Sequence, residues 1–122
     1  MLKGKKILIV DDEPDLRDLL SEEFQHHGCE ITVASNGHAA LQRIMSNDVD
    51  LVISDIRMPD MDGTQLLEKI REIDPQKPYV FLLTGYADIN AKEATKKGAK
   101  ALFLKPIDWQ KLVKQIEECL DD

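Results

Sequence analysis

The chain has 122 residues with a formal net charge of −7; 43% of the residues are hydrophobic and 32% charged. Apolar content at that level excludes intrinsic disorder, and the length leaves no room for a second domain of ordinary size, so residues 1–122 are expected to form a single domain. The acidic balance argues against a general binder of nucleic acid or anionic membrane, and no apolar run is long enough for a span or a secretory leader, so a cytoplasmic location is expected.

A β-rich run, Ile7–Val10, opens the pattern. Leu16, Leu19, Leu20 and Phe24 follow at helical spacing, with Pro14 at the start of that segment and Gly28 past its end. The run Ile31–Ala34 reads as a second strand, and Ala40, Leu41 and Ile44 as the face of a second helix. Leu51–Ser54 gives a third strand; Asp62-Gly63 punctuates the chain before a helix carrying Leu66, Leu67 and Ile70. Pro75 and Pro78 bracket a loop ahead of a fourth strand, Tyr79–Leu83. The segment Asp88–Lys97 has only Ile89, Ala91 and Ala94 as an apolar face, which makes the fourth helix the least anchored. Ala101–Leu104 and a last helix with Leu112, Val113, Ile116 and Leu120 complete five β–α cycles. The strand runs are continuous rather than alternating, as expected of strands buried on both faces of a parallel sheet. Right-handed crossovers then give an open (βα)5 α/β sheet with helices on both faces; by analogy with the flavodoxin-like fold, the strand order is 2-1-3-4-5. Cys29 and Cys119 lack CxxC spacing and read as reduced structural thiols.

In such a sheet ligands bind beyond the carboxyl ends of the strands, where the order reverses. Strand one ends in Asp11-Asp12-Glu13, strand three in Asp55, strand four in Thr84 and strand five in Lys105, whereas strand two ends in the plain pair Ala34-Ser35. Two unit charges about 4 Å apart repel by roughly 4 kcal/mol at an effective dielectric of 20, so several carboxylates at one rim call for a cation. Hard carboxylate oxygens with room for water suit Mg²⁺, and its open positions suit a phosphoryl group that Thr84 and Lys105 could also hold. Asp55 is then the candidate nucleophile, giving an acyl phosphate.

These residues closely resemble the receiver domains of bacterial two-component response regulators. The resemblance covers essentially the whole chain and rests on Ile9-Val10-Asp11-Asp12-Glu13, the stretch Val52-Ile53-Ser54-Asp55-Ile56-Arg57-Met58-Pro59-Asp60-Met61-Asp62-Gly63, Leu83-Thr84-Gly85 and Leu104-Lys105-Pro106. It implies Asp55 as the phospho-acceptor, Asp12 and Asp55 as direct Mg²⁺ ligands, Asp11 as a water-mediated one, and the Arg57 carbonyl as a further ligand. Thr84 and Lys105 become the phosphate contacts, and Lys105-Pro106 a cis bond. The implied donor is a sensor histidine kinase or a histidine phosphotransfer protein, and the protein is a switch that catalyses its own phosphotransfer and dephosphorylation rather than an ordinary enzyme. Partner binding, or a homodimer, through helix 4, strand 5 and helix 5 is also implied, with the downstream effector unknown and the chain either a stand-alone receiver or a fragment of a longer regulator.

One departure stands out. The family usually places Tyr or Phe three residues before the strand-five lysine, and here that position is Leu102; Phe103, one step along, faces the other side of the strand and cannot replace it. Tyr86 and Arg57, two residues after Thr84 and Asp55, are further candidates to flank the site and govern access of water. Taken singly, each motif has a plainer reading: Asp11 to Pro14 as a helix start, Asp60 and Asp62 as turn and cap residues, the lysines 92, 96, 97 and 100 as a solvated face, and Trp109 as packing for the last helix. His26, His27 and Cys29 have no partner group spaced to complete a metal site. A phosphohydrolase of the haloacid-dehalogenase type would share the aspartyl chemistry, but Arg57 stands where those enzymes carry a second acid.

Overall fold

Strands and helices alternate along the chain as β1 (Lys6–Val10), α1 (Pro14–His26), β2 (Glu30–Ala34), α2 (Gly37–Ser46), β3 (Leu51–Asp55), α3 (Gly63–Ile73), β4 (Tyr79–Thr84), α4 (Ala91–Lys96), β5 (Ala101–Leu104) and α5 (Trp109–Leu120). The structure, a computed structural model, describes residues 2–85 and 89–120. All strand pairs are parallel, and the order is β2-β1-β3-β4-β5, so the expected doubly wound sheet with its reversal between β1 and β3 is the observed one.

Each strand alternates its side chains between two separate apolar clusters. Leu8, Val10, Val52, Val80 and Leu82 face α2, α3 and α4, where Ala40, Leu66, Leu67, Ile70 and Ala94 meet them. Ile7, Ile9, Leu51, Ile53, Phe81 and Leu83 face α1 and α5, against Leu20, Phe24, Leu112 and Ile116. The central strands therefore need apolar residues at every position, which is why they read as unbroken runs. The same reading fails for β2 and β5: Glu30 and Val33 are exposed, as is Leu104 at 66%, because the strand order puts these two at the sheet edges, where helices cover them only in part.

The helix boundaries follow from local chemistry. Asp62 and Gln65 form a reciprocal capping box at the start of α3, and Asn36 and Asn90 cap α2 and α4 through their side-chain oxygens. Gly28 and Gly98 take the positive φ values, 82° and 106°, that end α1 and α4. Helix α4 is only six residues long and buries Ala94 alone, so the weakly anchored fourth helix is also shorter than expected; Asp88, in the expected segment, lies outside the described residues. The Lys105–Pro106 bond is cis as the resemblance implied, and Lys77–Pro78 is a second cis bond that the sequence reading did not foresee. Both cysteines are free thiols, and Trp109 packs against the α1/α5 cluster. Among the described residues no helix is long and apolar enough to cross a membrane.

At the foot of the sheet, Arg71 of α3 donates to three backbone carbonyls: Nε to Gly98 at 3.0 Å, Nη2 to Pro78 at 2.8 Å and Nη1 to Asp74 at 3.4 Å. Burial pushes its guanidinium pKa down, while neighbouring Asp74 works in the opposite sense. One side chain thus ties the end of α3, the loop before β4 and the turn after α4 together.

Candidate functional site

The carboxyl ends of β1, β3, β4 and β5 open on one rim, and their backbones lock its edges in place. The Asp11 amide donates to the Ala34 carbonyl at 3.1 Å, that of Ile56 to Leu83 at 2.9 Å, and that of Lys105 to Thr84 at 2.8 Å. Just beyond β3 the chain turns through Asp60, with φ of 70°, into α3, whose first residue donates from the Gly63 amide to the Ile56 carbonyl at 2.8 Å. Gly63 is required by close approach rather than by its φ: a Cβ there would sit 2.8 Å from the Ile56 Cα and against the Asp55 carbonyl. The nearness of two backbones is what sets α3 directly beneath Asp55.

Three carboxylates meet at this rim. One oxygen from each of Asp11, Asp12 and Asp55 lies within 4.8 Å of the others, with Asp11 and Asp55 buried and Asp12 exposed. Asp11 Oδ1 accepts the Glu13 amide at 2.8 Å, closing a turn ahead of Pro14 and α1. Its other oxygen, Oδ2, is buried and has no hydrogen-bond partner among the described residues. The Asp11 pKa is pushed up to about 6, chiefly by burial; the Glu13 amide and Lys105 oppose the shift, and the Asp55 charge adds to it. Lys105 Nζ lies 3.0 Å from Asp55 Oδ2 and supplies one compensating charge. A buried acceptor left unsatisfied beside two more carboxylates is a donor set for a hard divalent cation that keeps part of its water shell, so the residues present fit Mg²⁺.

Asp12, Glu13, Asp55, Arg57, Gly85 and Lys105 line a recess of about 400 Å³ around these groups. The structure thus brings together Asp11, Asp12, Asp55 and Lys105, and sets Arg57 on the same recess. Thr84 is at the end of β4 as expected, and its side chain is fully buried there. Gly85, beside it, lines the recess and carried no role in the sequence reading; the same holds for Glu13. The signal for both lay in their being next to Thr84 and Asp12. Tyr86 lies outside the described residues.

Leu102 packs against the cluster under α2, α3 and α4, while Phe103 turns to the opposite face and stacks on Phe81 with ring centroids 5.7 Å apart. The one-residue shift therefore has the effect expected of it: the aromatic ring is committed to the core on the α1/α5 side. A second, larger groove of about 720 Å³ begins at Asp12 and Arg57 and runs between the start of α3 and α4.

A family model described as the response regulator receiver domain matches residues 7–117. Among curated proteins, the transcriptional regulatory protein GlrR of Escherichia coli (strain K12) is 37% identical over 120 residues, which is 98% of this chain and 27% of that protein. The chain thus spans about a quarter of the length of such relatives. Among solved structures, a response regulator receiver domain protein from Clostridium thermocellum superposes with a TM-score of 0.89 at 32% identity, covering 96% of this chain and 94% of that one. The response regulator protein TrrA of Thermotoga maritima, solved in complex with Mg²⁺-BeF, gives a TM-score of 0.86 at 36% identity and covers 95% of this chain and 99% of that one.

Proposed function

Because the chain belongs to the receiver-domain family of two-component response regulators, we propose that residues 1–122 act as one phosphorylation-controlled switch in which Asp55 is the acceptor. The donor is a phosphohistidine on a sensor histidine kinase or a histidine phosphotransfer protein. An Asp55 carboxylate oxygen attacks phosphorus as the phosphorus–nitrogen bond of the donor breaks, and the electron pair leaves with the imidazole. Lys105, already 3.0 Å from Asp55, follows the negative charge onto the phosphoryl oxygens, and Thr84 moves out of the β4 end to donate to another. A Mg²⁺ held by Asp11, Asp12, Asp55 and the Arg57 carbonyl supplies charge neutralisation for the incoming phosphoryl group. Water attack at the same phosphorus later restores the carboxylate.

The observation that carries this reading is the convergence of three carboxylates and one ammonium from three strand ends, with a buried acceptor left over. The chain as a whole then works in the cytoplasm, and its output is a change in what α4, β5 and α5 bind, whether an effector, an output domain or a second copy. The exposed Leu104 and the lysines of α4 give that surface an apolar and basic character. A phosphohydrolase is the weaker reading because Arg57 provides no acid to protonate a leaving group.

The test is labelling with acetyl phosphate. Wild-type protein is expected to gain one phosphoryl group only when Mg²⁺ is present, and Asp55→Ala to gain none by mass spectrometry. Labelling of that variant at another residue would refute the assignment of Asp55.

A further inference from the structure

Helix α1 begins differently from α2, α3 and α4. Those three start at an Asn or Asp whose side chain accepts a helix amide, whereas Glu13, at the head of α1, makes no such bond. The start of α1 is tied by one of its own side chains instead. Side chains on a helix lean toward its N-terminus, and Arg17 reaches back past Pro14 so that Nη1 donates to the Asp11 carbonyl at 2.8 Å. Arg17 is half-buried and held on its own helix: its amide donates to the Glu13 carbonyl at 3.1 Å, and its carbonyl accepts the Ser21 hydroxyl at 2.8 Å. The contact completes a set around Asp11. The Asp11 amide is bonded to Ala34, Oδ1 takes the Glu13 amide and the carbonyl takes Arg17, which leaves Oδ2 without a partner among the described residues.

We propose that Arg17 is a positioning residue for the cation site: by holding the Asp11 carbonyl it fixes how the Asp11 and Asp12 carboxylates stand relative to each other, in an arrangement suited to Mg²⁺. The inference rests on the reading of the acidic cluster as a Mg²⁺ site. The peptide unit between Asp11 and Asp12 is planar, so a clamp on its carbonyl sets the direction in which the chain leaves Asp11 and where the Asp12 Cα stands. These two acids supply two of the three carboxylates at the rim. The sign of the effect separates a clamp from a mere charge. A guanidinium near a cation site repels the cation, so its removal as a charge tightens binding. Its removal as a clamp loosens the paired ligands and weakens binding.

Calorimetric titration of the full chain with Mg²⁺, and separately with Ca²⁺, tests this on two variants. Arg17→Met keeps an apolar stem but has no donor, and Arg17→Lys carries an ammonium that can still donate to the Asp11 carbonyl. Groups that orient metal ligands are worth about 10- to 100-fold in metal affinity, so Arg17→Met is expected to weaken Mg²⁺ binding by about 10-fold or more. Ca²⁺ is expected to lose less, because it tolerates irregular coordination where Mg²⁺ demands near-octahedral geometry. Arg17→Lys is expected to recover most of the Mg²⁺ affinity. Should circular dichroism show Arg17→Met unfolded, Arg17→Gln, with its amide on a shorter stem, takes its place under the same expectations. Mg²⁺ binding that is unchanged or tighter without the donor, equal losses for the two ions, or an Arg17→Lys variant as impaired as Arg17→Met would each overturn the positioning role. Wild-type protein that takes up neither ion, or an Asp12→Asn variant that binds Mg²⁺ as the wild type does, would instead overturn the cation site itself.

Discussion

Asp11 is the residue at which the resting protein is least content. Its burial raises the pKa from 3.8 to about 6, so between those values the unfolded chain has ionised while the folded protein still holds the proton. Folding stability from this group therefore falls as pH rises through that window, and the penalty is fully present above pH 6. Asp11→Asn is expected to stabilise the metal-free protein at pH 7 by about 1–3 kcal/mol in urea unfolding, with the gain shrinking toward pH 4, and to weaken Mg²⁺ binding in a calorimetric titration. The identities of the acidic residues, Thr84 and Lys105 were legible in the sequence because each stands where a strand run stops. The raised pKa of Asp11 was not, since it depends on how deeply the fold buries one carboxylate of a run of three acids.

Among the elements, α3 shows how close backbone approach sets the site. Gly63→Ala places a methyl against the Asp55 carbonyl and 2.8 Å from the Ile56 Cα, where the nearest atoms are all backbone and no flexible side chain can give way. The expected cost is about 1–3 kcal/mol, read as a lower urea midpoint with an unchanged slope. Because the displaced backbone carries Asp55, phosphotransfer from acetyl phosphate is expected to slow as well. The sequence showed Asp62-Gly63 as helix punctuation, which is correct for Asp62; the demand on Gly63 comes from β3, a neighbour that the local pattern does not display. Edge strands were misjudged for a related reason. Ile31–Ala34 and Leu51–Ser54 have similar local patterns, and only the strand order decides that the first lies at an edge and the second in the centre.

For the molecule as a whole, a cation held by the cluster of three carboxylates would link its binding to folding. Anything that binds only the folded protein adds stability by mass action, about 2.7 kcal/mol when its concentration is 100 times the dissociation constant. Saturating Mg²⁺ is therefore expected to raise the melting temperature at pH 7.5, and the increment to shrink as pH drops below 6, where protons compete for Asp11. An increment independent of pH in a thermal-shift series would place the bound ion away from Asp11. The five-cycle architecture was legible because each central strand is apolar on both sides and each helix on one. The Arg71 bracket was not, because its acceptors are backbone carbonyls, which leave no mark in a sequence.

The sheet also acts as a partition. Its two apolar clusters share the strands but no helix: α1 and α5 occupy one side, α2, α3 and α4 the other. A surface made of α4, β5 and α5 therefore straddles the partition, because α4 is seated on one cluster and α5 on the other, with the edge strand β5 between them.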